Sequence, residues 1–344
     1  MQTFLGIDYP TLWFLVVGAL FSGYAILDGF DLGAGAWHLF LREDKSRRIA
    51  LNAVGPVWDG NEVWLVIGGG ALFAGFPEAY ATLFSAMYIP FILFLGFLIF
   101  RAVSIEFRSK EPMRWWRQVW DISYSVSSAM LALLLGVVLG NVLIGMSMDE
   151  QFIYTGKWIQ FLNPYSLLVG LTSLSLFMVH GAIYLTMKTE DALFEKISRL
   201  LKRSILVFTS LFVVVTLVSL LAYPHLTDKF LSRPVLLIVP LLAFLSIANV
   251  PRLATKGKYL RSFIFSSLAI SFLLIIVAIE LYPVILIDKE SMINNLTIYN
   301  ASSSEKSLGI MLTIAAIGFP LVLAYIVFVY RTFWGKVRLD EHSY

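Results

Sequence analysis

The sequence predicts an all-α polytopic membrane protein of nine transmembrane helices, with its N-terminus outside and its C-terminus in the cytoplasm. Three observations lead there. Of 344 residues, 58% are hydrophobic and 14% charged, with a mean hydropathy of +0.79, whereas a soluble domain carries about a quarter charged residues. Apolar runs recur at the length of about 20 residues that crosses roughly 30 Å of hydrocarbon. The basic residues then fall on one side of the runs. Cysteine is absent, which excludes disulfides, thiolate metal sites and iron–sulfur clusters. The net charge of +3 is small, and no nucleic-acid partner is expected.

The start, MQTFLGIDYP, lacks the basic region of a cleavable signal and reads as the approach to a retained helix. Clear runs occupy 11–30, 81–100, 122–145, 164–187, 204–222, 234–250, 262–279 and 308–330. The ninth candidate holds GPVWDGNEVWLVIGGG, residues 55–70. Its charge-free part, Val63 to Phe76, is about 21 Å long at 1.5 Å per residue, too short to span alone. It spans if the helix begins between Asn52 and Val57. With nine spans, only Lys157, Lys229, Arg233, Lys289 and Lys306 of the 26 basic residues lie outside. A re-entrant ninth segment would invert every later loop and erase that bias, so the positive-inside rule favours nine crossings.

No soluble domain fits, and residues 1–344 read as one integral membrane domain. Within it, 1–145 forms a first four-helix bundle holding the polar motifs and 146–283 a second. Residues 284–344 supply an outside loop, a peripheral ninth helix and a cytoplasmic tail. In the outer loops, Tyr154 and Trp158 suit the headgroup interface.

Acids inside the runs carry the functional signal. Asp28 and Asp31 are three apart, share a helix face and sit at the expected C-terminal end of the first helix, where the dipole disfavours negative charge. They are a solvated interfacial pair, or they need a counter-charge or a proton. Gly29 and Gly33 have the small-xxx-small spacing of close helix packing. With the second helix starting near Ala53, Asp59 lies about 9 Å in and Glu62 about 14 Å in. The helix dipole and Pro56 support a capping role there; the depth of Glu62 supports a functional one, the default for an intramembrane acid. Arg101 marks the inner boundary of the third helix, followed by Glu106 and Arg108. Asp121, at the inner end of the fourth, also reads as a helix-start acid. Arg101 alone can fully neutralise only one acid, and surplus carboxylates facing the cytoplasm are what proton uptake requires. Glu280 reads as an interfacial residue. Of the four histidines, His38, His180, His225 and His342, only His180 lies deep in a helix. A lone His is more often hydrogen-bonded to a neighbour than a haem ligand, and a multi-haem cytochrome would need several axial ligands.

The chain resembles subunit II of the cytochrome bd-type quinol oxidases, including the cyanide-insensitive branch. The matching segments are LDGFDLGAG (27–35), RRIALNAVGPVWDGNEVWLV (47–66), GGALFAGFPEAYA (69–81), IFRAVSIEFRSK (99–110), WD (120–121), FLNPYSLLVG (161–170) and YLTMKTE (184–190). The resemblance implies a haem-free subunit of a bacterial plasma-membrane enzyme that couples quinol oxidation to reduction of oxygen to water. It implies a partner, subunit I, that carries two b haems, one haem d and the quinol-oxidising loop and is stabilised by this chain. It implies no complete active site, cofactor or metal site in this chain alone. It places Asp59 on a cytoplasmic proton path; Glu62 stands where some members have Gln, which either adds a second protonatable group or is branch variation, and the reading of the acid cluster adds Asp28 and Asp31 to the path. Trp58, Arg101 and Asp121 then support assembly or the haem environment, a role the family also ties to the position of Asp31. A structural quinone, membrane lipid and a small accessory subunit stay open as further partners. The alternative drawn from the same buried acids is a stand-alone proton- or cation-coupled membrane transporter.

Overall fold

The structure is a computed structural model that describes residues 3–4, 6–290 and 294–339; His342 lies outside the described residues. Twelve helices follow in order: α1 (Tyr9–Trp37), α2 (Asp44–Val54), α3 (Trp58–Gly75), α4 (Pro77–Ala86), α5 (Tyr88–Phe107), α6 (Arg114–Ile144), α7 (Pro164–Lys188), α8 (Asp191–Ala222), α9 (Asp228–Ser232), α10 (Ile238–Thr255), α11 (Tyr259–Leu281) and α12 (Glu305–Thr332). Eight stretches among the described residues are long and apolar enough to cross a membrane. The α3–α4 pair passes the same test only together, and it bends by 120° at its break.

Local chemistry sets the ends. Asp8 accepts from the Thr11 N–H, with Pro10 in the first turn of α1, and Asn163 does the same for Ser166 ahead of Pro164 at the start of α7. Both follow from the unpaired N–H groups of a helix start and the fixed φ of proline. Gly145 closes α6 at φ +82°, a conformation that disfavours a side chain, with the Ile287 carbonyl against it.

Two sequence expectations change. Helix α1 runs on to Trp37, so Asp28 and Asp31 lie well inside it rather than in its last turn. Helix α3 starts at Trp58, after a turn at Gly55–Val57 that separates it from α2. Asp59 is therefore in the first turn, not six residues along a helix begun at Ala53.

Helix α3 nonetheless has depth. Its 18 residues measure about 27 Å, and it lies antiparallel along α1: Asn61 donates to the Leu27 carbonyl, and the Trp13 indole donates to the Ala71 carbonyl at the other end. Helix α12 lies along α3 in the same way, from Ser303 bonded to the Ala74 and Gly75 carbonyls up to Tyr330 bonded to Asn61.

The loops sort into two sets. On one side, Asp44 and Arg47 of α2 pair with Arg108 at the end of α5 and with Arg117 and Asp121 of α6, and the end of α7 holds the tail through Lys188 to the Phe333 carbonyl and Lys336 to the Thr186 and Thr189 carbonyls. On the other, Thr11 meets Tyr282, Met146 meets Ile287, and Lys229 donates to the Tyr282 carbonyl.

Helices α1, α3, α5 and α6 pack side by side; α8 packs on α7, and α10 and α11 pack on each other. The two groups join where α7 meets α1 and α6. The glycine spacing acts as expected: Gly29 faces Phe177, and Gly33 faces the Phe177 carbonyl and Gly181, leaving no room for a Cβ. The apolar faces of α8 and α12 remain largely exposed, as lipid- or partner-facing surfaces do.

Candidate functional site

The buried face of α3 repeats at Val57, Asn61, Trp64, Gly68 and Leu72, the helical period of an inward stripe. It delivers Asn61, not the flanking acids, into the packed interior. Asp59 is exposed on the opposite side, and Glu62 sits at the edge with 19% of its side chain accessible. Trp58 is half-buried against Leu51, Ile105 and Tyr124.

Inside, α1, α3 and α5 bring their charges together. Arg101 is fully buried and grips Asp28 with both terminal nitrogens, at 3.0 and 2.5 Å. Its second acid is Glu62, at 3.4 Å. Asp31 is equally buried but receives only the Asn61 amide, at 2.7 Å, and its other oxygen has no hydrogen-bond partner. The Tyr330 hydroxyl, arriving on α12, donates to the Asn61 carbonyl oxygen at 3.1 Å and fixes the amide's orientation. Three carboxyls thus share one guanidinium. Full ionisation would leave a net charge of −2 in an enclosed site, which is costly without further partners. The arrangement can hold and exchange protons.

A second centre lies toward the α1–α2 corner. Asp121 is not a helix-start acid: it sits past the first turn of α6, buried, and accepts from His38 at 2.5 Å, Arg47 at 2.8 Å and Arg108 at 2.5 Å. Arg108 also reaches Asp44 at 2.7 Å. Burial acts to lower the Arg108 pKa, but the hydrogen bonds and charges of Asp121 and Asp44 raise it above its ordinary value, so this cation is permanent. The centre is a closed structural lock between the ends of α1, α5 and α6. The structure therefore separates Asp121 from the Asp28–Asp31–Glu62–Arg101 group.

Each of the three described histidines makes a hydrogen bond within this chain. His180 uses both ring nitrogens, on Ser266 at 2.7 Å and on the Ile26 carbonyl at 3.0 Å, and stacks on Phe263. His38 is bound to Asp121, and His225 contacts the Leu143 carbonyl. Among the described residues, no three His, Cys, Asp or Glu side chains group as metal ligands. Asn61, Tyr330, His38, Arg47 and Arg108 are the site residues that sequence reasoning did not assign. For Asn61 a signal existed in the inward stripe of α3; for Tyr330, His38 and Arg47, whose partners lie far off in sequence, there was none.

A family model for cytochrome bd terminal oxidase subunit II matches residues 9–333. The chain is 33% identical over 369 aligned positions to the cytochrome bd-I ubiquinol oxidase subunit 2 of Escherichia coli K12, covering 97% of each chain. It is 32% identical to the cytochrome bd ubiquinol oxidase subunit 2 of Bacillus subtilis 168, over 96% of this chain and 97% of that one. Its fold is similar to the bd oxidase of Geobacillus thermodenitrificans, with a TM-score of 0.79 at 20% identity, covering 94% of this chain and 98% of the other.

Proposed function

We propose, from the premise that this chain belongs to the cytochrome bd terminal oxidase subunit II family, that its α1–α3–α5 carboxyl cluster takes up protons from the cytoplasm for the oxidase. The chain is a multi-pass protein of the bacterial inner membrane and a subunit of a quinol-oxidising, oxygen-reducing complex. Its expected partner is subunit I, holding the two b haems and haem d and acting on quinol and oxygen; this chain stabilises it. Relatives along the whole length are oxidase subunits, so a stand-alone transporter is not favoured.

Nine crossings, with the N-terminus outside, agree with the contacts between loops. The α1–α2 and α5–α6 corners touch, so the segment between them crosses an even number of times. Helix α5 crosses once, and α3, lying along α1 nearly end to end, supplies the other crossing. Helix α4 is then a return segment at the outer face. The basic side is the cytoplasmic one.

The observation that carries the proton reading is the shared guanidinium. Asp28 occupies both terminal nitrogens of Arg101, so Asp31 makes no direct ion pair with it and keeps one oxygen without a hydrogen-bond partner. Asp59 is exposed at the cytoplasmic start of α3, Glu62 stands one turn deeper, and Asp31 lies behind Asn61. These residues form a graded series from surface to interior. The exposed face of α3, with Asp59, Val63, Val66 and Phe73, would set a charge against lipid if left bare. Subunit I covers it in this reading, and Gly70, with open space around it, lets a partner helix approach closely. The test is Asp59→Asn in the assembled complex. Turnover falls while haem content stays; unaltered turnover would remove Asp59 from the path.

A further inference from the structure

Helices α8 and α10 belong to different packing pairs, α8 on α7 and α10 on α11, and a cleft separates them. At its inner end is a cavity of about 120 Å³ lined by Ser198, Leu201, Lys202 and Ile205 of α8, by Pro251, Ala254 and Thr255 of α10, and by Tyr259. Ile205 also lines a second, much smaller apolar crevice of about 10 Å³, together with Phe208, Ile247 and Val250. The edge-to-face contact of Phe194 with Tyr259, and the position of Lys336 over the Phe194 ring, place the mouth on the side of the C-terminal tail.

The charge around the mouth is mainly basic. The segments 196–203 (KISRLLKR) and 252–261 (RLATKGKYLR) contain eight basic residues and no acid. The one ion pair they make among the described residues is Arg199 with Glu195, long at 3.9 Å and exposed. The Ser198 hydroxyl, in the cavity wall, is buried without a hydrogen-bond partner. A cationic rim, an unanswered hydroxyl and an adjoining apolar crevice match one ligand class: a phosphate diester carrying acyl chains. Basic pockets between helices on the cytoplasmic side hold anionic lipid headgroups in this way.

We propose that the α8–α10 cleft is a binding site for an anionic glycerophospholipid, its phosphate at Lys202 and Ser198 and one acyl chain along Ile205 and Phe208. The bound lipid fills the gap between the two helix pairs and stabilises the subunit.

The purified, delipidated two-subunit complex tests this by thermal unfolding during titration with phosphatidylglycerol, phosphatidylethanolamine or inorganic phosphate. Phosphatidylglycerol raises the unfolding midpoint in a saturable way; the zwitterionic lipid and free phosphate do not. Lys202→Gln raises the half-saturating lipid concentration about fivefold, the equivalent of one surface cation. Lys306→Gln, on the opposite face, leaves it unchanged. Ala254→Phe, which fills the cavity, abolishes the saturable phase at normal oxidase turnover. If that variant does not assemble, Lys202→Gln, at an exposed position, decides alone. Equal stabilisation by phosphatidylethanolamine or by phosphate, or a Lys202→Gln titration matching that of Lys306→Gln, overturns the proposal.

Discussion

Asp28 and Asp31 are chemically alike, equally buried and three residues apart, yet their amide variants should fail in opposite ways. Asp28→Asn removes the charge that Arg101 holds at 3.0 and 2.5 Å. Only Glu62, at 3.4 Å and at the site's edge, remains for a guanidinium with no access to water. Breaking a buried pair by removing one partner costs about 3–5 kcal/mol, about two to three and a half orders of magnitude in the folded-to-unfolded ratio. Asp31→Asn removes no counter-charge. The new amide oxygen still accepts from Asn61, so its cost stays near that of one hydrogen bond, about 0.5–1.5 kcal/mol. It does remove a protonatable group. The assay is the yield and thermal midpoint of the affinity-purified complex, its haem-to-protein ratio, and oxygen consumption per haem. Asp28→Asn should lower yield and midpoint sharply. Asp31→Asn should assemble with a normal haem complement and lose turnover. Equal instability in the two variants, or full turnover in Asp31→Asn, would refute the reasoning.

Three further outcomes follow from the geometry. Asp121→Asn strips the shared carboxylate from Arg108, buried to 1% exposure, and should cost about 3–5 kcal/mol; Arg47→Ala, whose side chain is 20% exposed, should cost far less, a ranking that thermal unfolding checks. Gly33→Ala drives a methyl into the Phe177 carbonyl and should prevent accumulation of the chain on a membrane immunoblot. At Gly70 an added Cβ meets nothing within 4 Å, so Gly70→Leu should leave the chain in the membrane but reduce the subunit I recovered with it on affinity purification.

Eight spans were legible because hydrocarbon thickness fixes a length, and the length of an apolar run is a local property of the chain. Asp28 and Asp31 were read at the C-terminal end of α1, whereas they lie inside it, buried against Arg101 and Asn61, and no local signal records those partners. The start of α3 was misplaced because α2 is helical up to Val54 and only the Gly55–Val57 turn separates the two. The acidic pair of α3 was found, but its face was not. The period through Asn61, Trp64 and Gly68 places Asp59 on the outward side and Glu62 at the edge of the buried cluster. The Asp121 lock was invisible because His38 and Arg47 lie 83 and 74 residues away in sequence. That Arg101 falls short of the acids around it was readable from composition alone, whereas its choice of Asp28 needed coordinates.

The central claim is that protons enter through this chain's carboxyl cluster. Vesicles containing the oriented complex, pulsed with oxygen beside a pH-sensitive dye on the cytoplasmic side, report that uptake directly. For Asp31→Asn with haems intact, uptake should slow on the order of a hundredfold, the scale of losing one positioned proton-transfer group. Uptake at the wild-type rate in that variant would contradict the account.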